Sequence, residues 1–185
     1  MGLSVIILAA GQGTRMRSSL PKVLHPLAGR PLLEHVIHTA RQLQADSIYV
    51  VYGYGGNAVP QALTHLTVNW VEQAEQLGTG HAVDQAMPSV ADGDTVLVLY
   101  GDVPLISMTT LQRLIAAVSD SSLGLLTVHQ HDPQGYGRIV RDAGKRVTRI
   151  VEEKDATAEE RSIGEINTGM IAAPAARMRS WLAKL

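Results

Sequence analysis

The stretch Leu8-Ala9-Ala10-Gly11-Gln12-Gly13-Thr14-Arg15-Met16, with Lys22 following Leu20-Pro21, joins an apolar run to a glycine loop and then supplies the cations Arg15 and Lys22. These residue types at this spacing suit a polyphosphate. Without a Cβ in the way, the backbone N–H groups of Gly11 and Gly13 can approach an anion closely, and the cations can neutralise it. Two other phosphate patterns are excluded. The dinucleotide fingerprint needs a glycine or small substitute three residues after Gly13, where Met16 stands; the P-loop needs Gly-Lys followed by Ser or Thr, which the chain lacks.

Two further groups could complete such a site. Asp102 follows the apolar run Val96-Leu97-Val98-Leu99-Tyr100-Gly101, and ligands of an open α/β sheet collect beyond the carboxyl ends of its strands. A carboxylate there suits Mg2+, which takes one or two carboxylates plus substrate phosphates. The competing reading is a helix N-cap; Ser107 is better placed to cap a helix starting at Met108, which favours the metal. Gln73-Ala74-Glu75-Gln76-Leu77-Gly78-Thr79-Gly80 follows another strand and opens a helix. The amides of Gln73 and Gln76 each offer a donor and an acceptor, as the edge of a pyrimidine requires. His129 and His131 share a strand face and His35 and His38 a helix face, but neither pair has a third ligand nearby, so both are read as non-metal.

The elements that position these residues follow from periodicity. Apolar runs alternate with amphipathic ones, the pattern of a mostly parallel sheet flanked by helices. Strands are predicted at Ser4 to Ala10, Ser47 to Tyr52, Thr67 to Val71, Thr95 to Tyr100, Leu123 to His129, Arg138 to Arg141, Val147 to Glu152 and Gly169 to Ala173. Helices are predicted at Pro31 to Leu43, Thr79 to Met87, Met108 to Ser119 and Pro174 to Leu185. Turn residues at Asp142-Ala143-Gly144 point to an antiparallel addition. The 185 residues suit one domain with an aliphatic core.

A formal net charge of −1 and the balance of 16 Lys and Arg against 17 Asp and Glu provide no basic field for nucleic acid. Any anion must be held locally. Cys is absent, which excludes disulfides and thiol chemistry. No apolar stretch approaches the roughly 20 residues of a spanning helix. The chain is therefore expected to be cytoplasmic, without a membrane or nucleic-acid partner.

Leu-Ala-Ala-Gly-x-Gly-Thr-Arg-Met with Pro-Lys resembles the opening motif of the sugar-1-phosphate nucleotidyltransferases. The segment Gln73 to Ala82 resembles Gln-x-x-Gln-Leu-Gly-Thr-Gly-His-Ala of one family among them, the N-acetylglucosamine-1-phosphate uridyltransferases. Gly135-Tyr136-Gly137-Arg138-Ile139, Val151-Glu152-Glu153-Lys154-Asp155 and Glu165-Ile166-Asn167-Thr168-Gly169 extend the likeness along the whole chain. The resemblance implies a Rossmann-like three-layer nucleotide-diphospho-sugar transferase fold. It assigns the nucleotide to residues matching Leu8, Ala9, Ala10, Gly11, Lys22, Gln73, Gly78, Thr79, Tyr100, Gly101 and Asp102, and the sugar to those matching Gly137, Glu152 and Asn167. Gly13 and Gln76 join the nucleotide set, and Arg15 matches a loop arginine near the phosphates. Alternation along a strand through Glu152 puts Glu152 and Lys154 on one face and Glu153 on the other, which selects Glu152 for the sugar.

The implied activity is bacterial: transfer of uridylyl from UTP to N-acetylglucosamine 1-phosphate, giving UDP-N-acetylglucosamine for peptidoglycan and lipopolysaccharide, with Mg2+ on Asp102 and with Arg15, Lys22 and Asp102 catalytic. Another sugar nucleotidyltransferase, or a non-catalytic nucleotide-sugar-binding module, is the alternative. The family also has a second metal ligand, an asparagine, and a β-helix acetyltransferase domain that makes a homotrimer. Both fall beyond Leu185, so a truncated domain with weak metal binding is expected.

Overall fold

The computed structural model describes residues 2–11, 13 and 16–185. In chain order the elements are β1 (Leu3–Leu8), the short strands β2 (Pro26–Leu27) and β3 (Arg30–Pro31), α1 (Leu32–Gln42), β4 (Ser47–Tyr52), α2 (Ala58–Ala62), β5 (Asn69–Glu72), α3 (Thr79–Ala86), β6 (Thr95–Tyr100), α4 (Met108–Ala116), β7 (Gly124–His129), β8 (Arg138–Arg141), β9 (Val147–Val151), α5 (Ala158–Arg161), β10 (Glu165–Pro174) and α6 (Ala175–Leu182), with 3-10 turns at Lys22–Leu24 and Met87–Ser89. They form two compact units, the residues through Gly124 together with Ile171–Leu185, and Leu125–Met170.

The first unit is the α/β fold expected from the alternation. Its strands run in the order β5-β4-β1-β6, all parallel, and Ile171–Pro174 of β10 adds antiparallel to β6. Strand β1 reads Leu-Ser-Val-Ile-Ile-Leu because both its faces are covered. Ile6 and Leu8 join one cluster with Tyr49, Val51, Ala82, Ala86, Val98 and Met178, which places α3 and α6 over that face. Val5 and Ile7, also fully buried, point the other way. Helix α1 packs on β1, β4 and α4 through Leu33, Val36, Ile37 and Ala40. The apolar stripe that predicted α1 is thus its core face. Helix α3 stops at Ala86 because Pro88 follows, and the chain tightens into the 3-10 turn at Met87.

In the second unit β8 and β9 form the expected antiparallel pair; Ile166 of β10 pairs with Arg138 of β8, and β7 pairs with β10. Strand β10 starts at Glu165, four positions before the predicted Gly169, because its polar residues find cross-strand partners: Asn167 N–H donates to Gly137 O at 2.8 Å and Thr168 Oγ1 to Leu126 O at 2.7 Å. Strand β9 ends at Val151, one residue short of its predicted limit. Buried Arg138 donates to Tyr136 O and, at 2.6 Å, to Glu153. Thr157 and Glu160 close a capping box on α5.

Glu165 is the electrostatic anchor of this unit. It accepts two hydrogen bonds from Arg141, at 2.6 and 2.7 Å, and one from Thr127 at 2.7 Å. The Arg141 bonds, then that of Thr127, hold its carboxyl at about 2 rather than 4.5, against the opposing effect of burial. A carboxylate lowered in this way stabilises the fold above about pH 4.5, and that contribution disappears as pH falls toward 2. Glu165→Gln should therefore cost about 1.5–3 kcal/mol at pH 7 and flatten the loss of stability between pH 4.5 and 2 relative to the parent. Urea unfolding at pH 7 and across the range from pH 4.5 to 2 checks both.

Candidate functional site

The carboxyl ends of β5, β4, β1 and β6 open together, and backbone hydrogen bonds hold the chain where it leaves them. Ala9 N–H donates to Val51 O at 2.8 Å, Gly101 N–H to Leu8 O at 2.9 Å, and Gln73 N–H to Tyr52 O at 2.7 Å. Beyond these ends lies a cavity of about 470 Å³. The glycine-loop side contributes Leu8, Ala9, Ala10, Gly11, Gly13 and Lys22, the β5–α3 side Gln73, Gln76, Gly78 and Thr79, and the β6 end Tyr100 and Asp102. Gly101 stands behind the lining. A Cβ there would come within 3.1 Å of Leu33 Cδ1 and 3.3 Å of Leu8 O, the crowding expected where β6 ends. Arg15 lies outside the described residues.

The loop glycines serve different ends. A Cβ on Gly11 would meet nothing within 4 Å, so packing does not require glycine there and its backbone is open to approach. Gly13 has φ +58° and a Cβ on it would stand 2.8 Å from Lys22 Cβ; the bare backbone lets Lys22 lie against the loop. Lys22 Nζ meets Asp102 Oδ2 at 2.5 Å, a pair whose side chains are 40% and 27% exposed. Ser107 Oγ accepts from Thr110 N–H and caps α4. Asp102 is thereby free of the capping role.

Opposite this pair, buried Gln73 directs Nε2 at Gly78 O (3.1 Å) and at His81 Nδ1 (3.0 Å). Gln76 Nε2 donates to Gln73 O at 3.3 Å. Gly78, at φ +106°, takes a conformation that L side chains resist and turns the chain into α3. Among the described residues no three His, Cys, Asp or Glu side chains are grouped to hold a metal ion. Asp102 alone fits a cation that a phosphate helps to bind.

Within the second unit, Gly137, Glu152 and Asn167 are neighbours: Asn167 N–H reaches Gly137 O, and a Cβ on Gly137 would stand 3.1 Å from Glu152 Oε1. Glu152 follows the end of β9, so strand alternation does not separate it from Glu153 as expected. Partners do. Glu153 accepts from Arg138 and from Gly135 N–H, and the Arg138 bond is the largest influence lowering its carboxyl below the usual range.

A profile of the MobA-like NTP transferase domain matches residues 5–166. This chain belongs to that family. The transferase domain is 62% identical over 183 residues to the "Bifunctional protein GlmU" of Aromatoleum aromaticum, covering 99% of this chain and 40% of that protein. It is 60% identical over 185 residues to the protein of the same name from Pseudomonas entomophila, covering 100% and 40%. The chain thus spans about two fifths of the length of these relatives. A solved nucleotidyl transferase from Methanothermobacter superposes with a TM-score of 0.70 at 22% identity, over 98% of this chain and 76% of that one, a likeness of fold.

Gly53 and His81 were not singled out from the sequence. A Cβ on Gly53 would stand 2.6 Å from Gln73 O, 2.9 Å from Gln76 Nε2 and 3.3 Å from Ala10 Cβ. The available signal was a glycine immediately after a β-branched strand, as also at Gly101. Gly53→Ala should displace the Gln73 backbone and cost about 1–3 kcal/mol of stability. Thermal unfolding beside the parent measures the loss.

Proposed function

We propose that this domain transfers the uridylyl group of UTP to N-acetylglucosamine 1-phosphate, giving UDP-N-acetylglucosamine and pyrophosphate, in the bacterial cytoplasm and for envelope polymer synthesis. The observation that carries the reading is one cavity lined by a glycine loop, the Lys22–Asp102 pair and the Gln73–Gly78 edge. Strong similarity to the GlmU proteins supports it. No helix among the described residues is long and apolar enough to cross a membrane.

A phosphate oxygen of the sugar phosphate attacks the α-phosphorus; a P–O bond forms there and the bond from that phosphorus to the bridging oxygen of the departing pyrophosphate breaks. The nucleophile is already an anion, so no general base is needed. Catalysis reduces to bringing polyanions together and neutralising developing charge. In this reading Gly11 and Gly13 present backbone N–H groups to the phosphates, and Gln73 with the Gly78 backbone meets the base. Asp102 would hold Mg2+, which when bound neutralises phosphate charge beside the reacting phosphorus. Lys22 then exchanges its carboxylate partner for phosphate. At an effective dielectric near 20, a unit charge pair about 4 Å apart is worth about 4 kcal/mol, so each cation contributes heavily. Gly137, Glu152 and Asn167 are proposed for the sugar, Glu152 because Glu153 is engaged by Arg138.

In the complete protein, Lys22→Ala should lower turnover on the order of 10²-fold or more, the scale for losing one transition-state donor, with thermal unfolding little changed because the Lys22–Asp102 pair is partly exposed. Pyrophosphate release from UTP and N-acetylglucosamine 1-phosphate measures this, and parent-like kinetics would remove Lys22 from the site. With the parent protein, UTP should be preferred strongly to purine triphosphates; equal use of GTP would contradict the Gln73 assignment.

A further inference from the structure

Gln73 is held by more than its strand. Its side-chain Nε2 lies 3.1 Å from Gly78 O and 3.0 Å from His81 Nδ1, and the residue is only 3% exposed. A backbone carbonyl can only accept, so Gly78 O fixes the NH2 end of the amide on this side, and the amide oxygen cannot take its place. Both amide hydrogens are then committed, and His81 Nδ1 must be a bare acceptor. A neutral imidazole carries one proton, which falls to Nε2. Gln85 approaches that nitrogen at 3.1 Å, and its amide completes the chain by turning its oxygen to the proton, since the two ends of an amide have the same shape.

We infer that His81 is a positioning residue for base selection. Gly78 O sets the orientation of the Gln73 amide, and His81 Nδ1 takes the second amide hydrogen, so that only Oε1, an acceptor, is left for a ligand in the cavity. The inference rests on the proposed role of Gln73 in meeting the base. Uracil offers a donor, N3–H, to such an acceptor. Cytosine carries a bare acceptor at the same ring position, and two acceptors face to face repel. His81 thus selects uridine over cytidine without touching either, acting from the first turn of α3 on a side chain at the end of β5.

The test is isothermal titration of the chain with UTP and CTP, for the parent and for His81→Ala, His81→Leu and His81→Asn, with circular dichroism confirming the fold of each. Ala suits a helix interior and Leu retains volume, so the pair controls for packing. One lost hydrogen bond corresponds to a change of about fivefold to tenfold. The UTP-to-CTP affinity ratio should fall by that factor in the Ala and Leu variants, through weaker UTP binding with CTP binding unchanged or improved. Asn can place Oδ1 near the position of Nδ1, accept from Gln73 and preserve the ratio. A ratio unchanged in the Ala and Leu variants, or an equal loss of both nucleotides, overturns the role of His81 while leaving the site reading intact. A parent chain that binds both nucleotides equally, or neither, overturns the Gln73 reading and this inference with it.

Discussion

The first unit depends on β1 being hydrogen-bonded along both edges while both its faces are covered. Parallel neighbours β4 and β6 use its backbone donors and acceptors, and aliphatic side chains close it above and below. Its polar side chain, Ser4, sits near its start and is committed to Asp94 Oδ2 at 2.7 Å. Chemistry is confined to where the strands end, and the bonds from Ala9 to Val51 O and from Gly101 to Leu8 O bring the exits of three strands to one place. The glycine loop, Asp102 and the Gln73 segment are far apart in sequence and adjacent for this reason.

Charge is arranged just as locally. With a formal net charge of −1, the molecule offers a polyanion no general attraction, and among the described residues that line the cavity one cation, Lys22, stands beside one carboxylate, Asp102. Lys22 and Asp102 neutralise each other at 2.5 Å while both stay partly exposed. An arrangement of this kind costs little to separate, because exposed pairs are weakly bound, and in the proposed reaction each member is released to its own partner, phosphate or cation. On the other side of the cavity the groups are neutral and oriented by hydrogen bonds, which suits discrimination between bases.

The parallel core was legible because β1, β4 and β6 are apolar runs rich in β-branched residues and bounded by turns, and α1 and α4 carry apolar stripes at helical spacing. What escaped depends on partners distant in the chain. Asn167 belongs to β10 because Gly137 accepts from it, which no periodicity records. Arg138 is buried because Glu153 and the Tyr136 carbonyl receive it, and its residue type alone does not reveal that. The two- to five-residue elements β2, β3, α2 and α5 are too short to show a period. Gly53 and His81 looked ordinary because what matters about them is their distance from Gln73. The glycine loop, Lys22, Gln73 and Asp102 were found from residue type and strand-end position, and all of them line the cavity.

The central claim is that a uridine nucleotide occupies this cavity at the ends of β5, β4, β1 and β6. Amide-resolved NMR of the isotopically labelled chain, titrated with UTP, tests it most directly. Saturating shifts are expected at Gly11, Gly13, Gly78, Thr79 and Asp102, with Thr157 and Lys145 unmoved. Shifts absent from those positions, or centred on another surface, would contradict it.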